Sequence, residues 1–206
     1  MNIITISREF GSGGRELGRR LADALGWDYY DRELITAIAG RRGLDERYLE
    51  KTLDHHVWQT APLTFRRTFA GVPPLQAEQT GLLLEQKRVV EKIGEADRSC
   101  VIVGRNADVL LADRAPFRIF VCAGMDARLR RCAERAEAGE RLSQRELERN
   151  IRRIDRDRAK TREILTGSRW GERGAYHLTV NTTDWEIKEL TPAVEQFATR
   201  WFGRTT

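Results

Sequence analysis

Asn2–Ser7 (NIITIS), a short apolar run rich in β-branched residues, leads into a glycine cluster, Gly11-Ser12-Gly13-Gly14. Leu17, Leu21, Ala24 and Leu25 then recur at helical spacing until Gly26. Strand, glycine loop and helix in that order constrain this chain more than any other feature. Such a junction brings backbone N–H groups and the positive end of a helix dipole to one point, a cradle for a phosphate group. The plainer alternative is a tight turn whose glycines serve backbone geometry alone.

Laid on the pattern GxxxxGK[ST] with Gly14-Arg15-Glu16 over GK[ST], the segment puts Glu9 at the first glycine, Arg15 at the lysine and Glu16 at the hydroxyl residue. Gly11, Ser12, Gly13, Gly14, Arg15 and Glu16 are therefore the candidate donor-phosphate residues. Arg15 can replace lysine as a forked donor, whereas Glu16 cannot copy a neutral hydroxyl on Mg²⁺. A dinucleotide fingerprint also has to be weighed, since Asp31 follows Gly11-x-Gly13 at about the right distance. Its third glycine falls on Glu16, however, where a bulky charge obstructs close packing of helix on strand.

The rest of the chain alternates in the same way. Trp27–Tyr30 reads as a second strand, Arg32–Ala39 and Asp45–Leu53 as helices, and His55–Pro74 as an irregular excursion with Pro62, Pro73 and Pro74. Leu82–Ile93 is helical in pattern. Cys100–Val103 and Phe117–Cys122 read as buried strands, and Met125–Glu137 as a helix. Ser143-Gln144-Arg145-Glu146 has the spacing of a capping box for a long helix, and Thr183–Glu186 of a second box after a strand at His177–Asn181. Five strands alternating with helices predict a parallel sheet covered on both faces.

Charge is unevenly placed. The net +5 equals the charge of the window from Arg149 to Arg169, where eight basic residues meet three acidic ones, so the remainder is balanced. A concentrated anion such as a polyphosphate fits that distribution better than a long nucleic acid, which needs a broad basic surface. Arg149, Arg153, Arg156 and Lys160 fall on one helical face, either as a solvated lattice with Asp155 and Asp157 or as cations for phosphoryl transfer. No apolar run approaches bilayer length and Arg8-Glu9 interrupts any leader-like segment, so a cytoplasmic protein is expected. Cys100, Cys122 and Cys132 lack metal or redox spacing and read as reduced residues in or near the core.

In an open parallel sheet, ligands bind beyond the carboxyl ends of the strands. Gly104-Arg105-Asn106 and Tyr30-Asp31-Arg32 lie at two such ends and converge on the glycine loop. Asp54-His55-His56 has no third ligand at helical spacing, and no metal site is expected.

Ile6–Gly18 (ISREFGSGGRELG), Tyr29-Tyr30-Asp31, Val103-Gly104-Arg105-Asn106, Arg153-x-Asp155-Arg156-Asp157-Arg158 and Thr166-Gly167-x-x-Trp170-Gly171 together resemble the cytidylate kinase-like family across nearly the whole chain. The resemblance implies one three-layer α/β P-loop domain over residues 1–206, with a monophosphate-binding excursion at about 32–98 and an arginine-rich lid at about 140–172. It also implies ATP and Mg²⁺ as cofactors and small nucleotides as partners, with no membrane or nucleic acid. The γ-phosphate would pass to a pyrimidine nucleoside monophosphate. Arg15, Arg153, Arg156 and Arg158 would act on the transferred group; Asp31, Arg32, Arg105, Asn106 and Asp155 would hold the acceptor. Arg105 matches the arginine of a GRD motif in which Asn106 replaces the acid. With Arg15 and Glu16 in the loop, a nucleotide-binding regulator and a kinase of a non-nucleotide acceptor remain the alternatives.

Overall fold

The computed structural model describes residues 1–31, 77–104, 106–135 and 142–204, with the backbone alone for 77–85 and 165. The expected helices at 32–39 and 45–53, the irregular stretch 55–74, and the site candidates Arg32 and Arg105 lie outside the described residues.

A five-stranded, all-parallel sheet forms the middle layer, in the order β2-β3-β1-β4-β5. Its strands are β1 (Ile3–Arg8), β2 (Asp28–Tyr30), β3 (Cys100–Val103), β4 (Phe117–Cys122) and β5 (Leu178–Asn181). β1 lies at the centre, with Ile3 paired to Cys100 on one side and Ile4 to Phe117 on the other. Side chains of a strand alternate between the two faces, so a strand covered on both must be apolar nearly throughout. β1 meets this requirement: Ile4 and Ile6 enter one core cluster with Leu17, Leu21 and Val194, and Ile3 enters the opposite one with Val89, Val90 and Ile93.

Helices α1 (Gly14–Leu25) and α6 (Ile187–Phe202) cover the first face. Helices α2 (Ala77–Glu95) and α3 (Ala107–Leu110) cover the second. The remaining pair, α4 (Met125–Glu134) and α5 (Gln144–Thr166), makes a smaller cluster in which Leu129, Cys132, Leu147, Ile151 and Ile154 close over Phe10. Leu147, Ile151 and Ile154 recur at four and three residues, which gives α5 one apolar stripe and leaves its arginines to the other faces. Through Phe10, the arginine helix is thus packed directly on the glycine loop.

The three-layer α/β fold agrees with the alternating pattern of the sequence, and differences at element ends have local causes. β1 runs one residue further than expected, to Arg8. The capping box at Ser143 forms as expected, with Glu146 returning a carboxylate to the Ser143 N–H at 2.9 Å. The box expected at Thr183–Glu186 does not form, and Glu186 itself is the cap. The Thr183 hydroxyl instead donates to Asn181 Oδ1 at 2.6 Å and accepts the Gly124 N–H at 2.9 Å. Cys100 and Cys132 are buried and all three cysteines are free thiols; burial pushes Cys100 up to about 12 and Cys132 up to about 11, which keeps both protonated near neutrality. Among the described residues, no helix is long and apolar enough to cross a membrane.

Candidate phosphate site at the end of the central strand

The chain leaves β1 at Arg8 and enters α1 at Gly14, so the loop lies beyond the carboxyl end of the central strand. On either side of β1 the connections turn away in opposite directions, the switch point where open α/β sheets form crevices. Gly13 caps α1 at φ 82°, in the left-handed region, and its carbonyl takes the Leu17 N–H at 2.9 Å. Its Cα also has no room for a side chain: a Cβ would come within 2.4 Å of Ile187. Ser12 is fully buried; its hydroxyl donates to the Glu9 carbonyl at 2.8 Å, while its own carbonyl accepts from Thr182 at 2.6 Å. The loop is therefore pinned from both ends, and the first N–H groups of α1 have no intrahelical partner.

A second set of contacts clamps the middle of the loop. Phe10 donates its N–H to Asp155 Oδ1 at 2.8 Å and accepts at its carbonyl from Arg128 Nε at 2.7 Å. Arg128 and Asp155 form an ion pair with each other, and Arg128 also approaches Glu9 at 3.4 Å. Glu9 in turn accepts the Ala123 N–H at 3.0 Å. From one turn further along α5, Arg158 donates to the carbonyl of Arg8 at 2.8 Å and stacks over the Phe10 ring at 5.6 Å. Asp155, expected at the acceptor, is thus a backbone anchor of the glycine loop, and Arg158 lies against the same loop.

Arg15 faces a different neighbour. Its Nε and Nη2 both meet Asp31 Oδ2, at 2.8 and 2.7 Å, and the Tyr29 hydroxyl stands 3.3 Å from the Arg15 carbonyl and 3.4 Å from the same carboxylate. Burial, reinforced by the Asp31 charge, pushes the Tyr29 phenol up, so it remains a neutral donor here. Glu16 turns outward to Arg20, at 2.9 Å, and to Arg135. Arg153 is half-buried and Arg156 exposed. Asn106 takes φ 51° at the head of α3, and its carbonyl accepts the Val109 N–H at 2.9 Å.

The structure therefore gathers Gly11–Gly14, Asp155 and Arg158 at one loop and Arg15 with Asp31 beside it. Glu16 points away. Five participants were not among the expected site residues. Arg8, Glu9, Arg128 and the buried pair Arg162 and Asp108 surround the loop or tie α5 to α3. Arg8-Glu9 at the end of an otherwise apolar strand was a visible signal; Arg128 sits in an ordinary helical charge pattern and gave none.

A central parallel strand, a glycine loop at the switch point and a basic helix packed on it define the class: a nucleotide-binding phosphotransferase on a P-loop-type α/β fold. The sequence matches the model of the cytidylate kinase-like family over residues 3–184, and the chain belongs to that family. No curated protein matches the sequence. Among solved structures, an uncharacterized protein from Eubacterium ventriosum ATCC 27560 superposes with a TM-score of 0.70 at 21% identity, covering 97% of this chain and 99% of that one. A shikimate kinase from Acinetobacter baumannii in complex with shikimate gives 0.53 at 15% identity, over 97% and 94%. A shikimate kinase from Bacteroides thetaiotaomicron gives 0.53 at 13%, over 95% and 97%. At these identities the likeness speaks for the shared fold.

Proposed function

We propose that the protein transfers the γ-phosphate of ATP to a pyrimidine nucleoside monophosphate. The observation that carries this reading is the double clamp on Phe10, which fixes the glycine loop from the arginine helix and brings Arg158 to it. In this reading the N–H groups of Gly11–Gly14 receive the donor phosphates, and residues about 140–172 act as a lid. Arg153, Arg156 and Arg158 supply positive charge to the transferred group. Phosphoryl transfer needs positioning and charge stabilisation more than covalent help, so no general base is required of the chain.

The acceptor lies on the Asp31 side, between the ends of β2 and β3, with Arg32, Arg105 and Asn106 as its further contacts. Mg²⁺ bound with the nucleotide would supply charge neutralisation across the phosphates, with most of its ligands expected from phosphate and water. The donor set fits that mode better than a protein cage: the carboxylates at the loop, Glu9 and Asp155, already engage Arg128, and among the described residues no cluster of three acidic, His or Cys side chains forms.

The Arg15–Asp31 pair favours a second reading. A loop cation committed to a neighbouring carboxylate fits a nucleotide-binding regulator that lacks turnover. Calorimetry with ATP and Mg²⁺, followed by product analysis with CMP as acceptor, separates the two. ADP and CDP formed together support transfer; ATP binding without ADP selects the regulator; absence of ATP binding overturns both.

A further inference from the structure

Arg8 ends β1, and two glycines define where its side chain runs. A Cβ on Gly14, the first residue of α1, would stand 2.6 Å from Arg8 Cβ and 3.1 Å from Cγ. A Cβ on Gly104, just past β3, would stand 1.8 Å from Arg8 Nη1 and 2.8 Å from Cζ. The stem therefore passes the amino terminus of α1, and the guanidinium lies across the start of the loop after β3. Its charge, like that of Arg15, is felt at the Tyr29 hydroxyl beside Asp31. Its carbonyl is fixed by Arg158 at 2.8 Å.

We propose that Arg8 is the phosphate-binding cation of the site, its guanidinium reaching the donor phosphates at the glycine loop and the acceptor group at the β3 end. This deepens the phosphotransferase reading above and rests on it for the identity of the ligands. Two observations support it. The helix begins at Gly14 with Gly13 as its cap. Setting the second glycine of GxxxxGK[ST] at that cap places Gly14 at the lysine and Arg8 at the first glycine. Cation and glycine have in effect exchanged places, and the missing side chain at Gly14 makes the room that the Arg8 stem occupies. Second, Arg15 holds Asp31 with two nitrogens, so its fork is turned toward a carboxylate. The chemistry is compatible: a guanidinium carries donors on two edges and can join two phosphate oxygens in one plane, whereas a lysine presents a compact point charge.

The test uses inorganic tripolyphosphate with Mg²⁺, which presents phosphates without a base. Arg8→Met keeps the stem against Gly14 and removes the charge; it should raise the calorimetric Kd at least about tenfold, while Arg15→Ala should raise it less. Parent-like affinity in R8M overturns the proposal, and so does a larger loss in R15A, which would return the cation to α1. If R8M fails to give a cooperative urea transition, the parent's arginine Nε–H spectrum replaces it, with the Arg8 resonance assigned by its absence in R8K. A shift of that resonance on adding tripolyphosphate supports the proposal, and an unmoved one overturns it. Failure of the transferase reading looks different: a parent that binds tripolyphosphate through Arg8 yet makes no ADP with CMP loses its assigned reaction and keeps its phosphate cation.

Discussion

The two halves of α5 carry four basic residues each, in opposite surroundings. In the first half Arg152 reaches back to Glu148 at 2.7 Å, one turn away, with both side chains well exposed. In the second half Asp155 and Arg158 bond to the backbone of Phe10 and Arg8, and Arg162 pairs with Asp108 inside the protein. The first half spends its charges on itself; the second uses them to join three separate segments. A count of basic residues cannot register that difference, because a local pair and a long-range anchor differ in burial and partner, not in residue type.

The widest separation between the halves should appear at Arg162. Its side chain and that of Asp108 are 5% and 3% exposed, and Asp108 Oδ1 has no hydrogen-bond partner among the described residues. Arg162→Ala would strand a buried carboxylate, and breaking such a pair costs ~3–5 kcal/mol. The urea midpoint should fall accordingly. An unchanged midpoint would show that the pair is dispensable and that the halves are alike.

Arg158→Ala comes next, with its effect on rate rather than stability. If its positive charge faces the transferred phosphoryl group, turnover should fall by about 10²–10³, the loss seen when one preorganised donor to a developing charge is removed. Its hydrogen bond to the Arg8 carbonyl contributes only about 1.5–3 kcal/mol to holding the loop. Normal turnover with a lowered urea midpoint would reduce Arg158 to a structural anchor.

Asp155→Asn sharpens the comparison on the loop itself. The amide keeps an acceptor for the Phe10 N–H but removes the charge facing Arg128, which retains Glu9 at 3.4 Å. The expected cost is ~1–3 kcal/mol in stability, accompanied by a higher Kd for ATP, because Arg128, which holds the Phe10 carbonyl, loses its main paired charge. Full ATP affinity with lowered stability would separate the clamp from the phosphate site.

Much of the fold was legible in the sequence because its signals are local. β3 and β4 agree with the structure residue for residue, since each is a short apolar run of β-branched and aromatic residues next to Gly104 or Pro116. The Ser143 box was legible for the same reason, whereas the Thr183 box does not form: the Gly124 N–H, from a distant segment, takes the acceptor side of that hydroxyl and Asn181 its proton. At the site, the loop was legible and the partners of its charges were not. Arg15 and Asp31 each looked like ligand contacts, and nothing local to either indicates that a helix and a strand end would bring them within 2.7 Å. With Gly14 set over the second glycine of the pattern, the sequence reading directed attention to Arg15 on α1 and gave Arg8 no role.

Arg152→Ala should have the smallest effect, and it tests the outer half directly. An exposed i,i+4 pair contributes about 0.3–0.5 kcal/mol, and salt weakens it further. Glu148 remains solvated when Arg152 is removed, so no buried charge is stranded, unlike Asp108 in the Arg162 variant. Alanine is also the better helix former, which offsets part of the lost pair. The urea midpoint should therefore stay within error of the parent, and turnover should be unchanged at both low and high salt. A salt-dependent loss of turnover in this variant would mean that the outer arginines attract the nucleotide electrostatically from a distance. In that case the two halves of α5 would divide one task between them, capture by the outer half and loop fixation by the inner, and the contrast drawn from their contacts would be one of sequence in time, not of function against solvation.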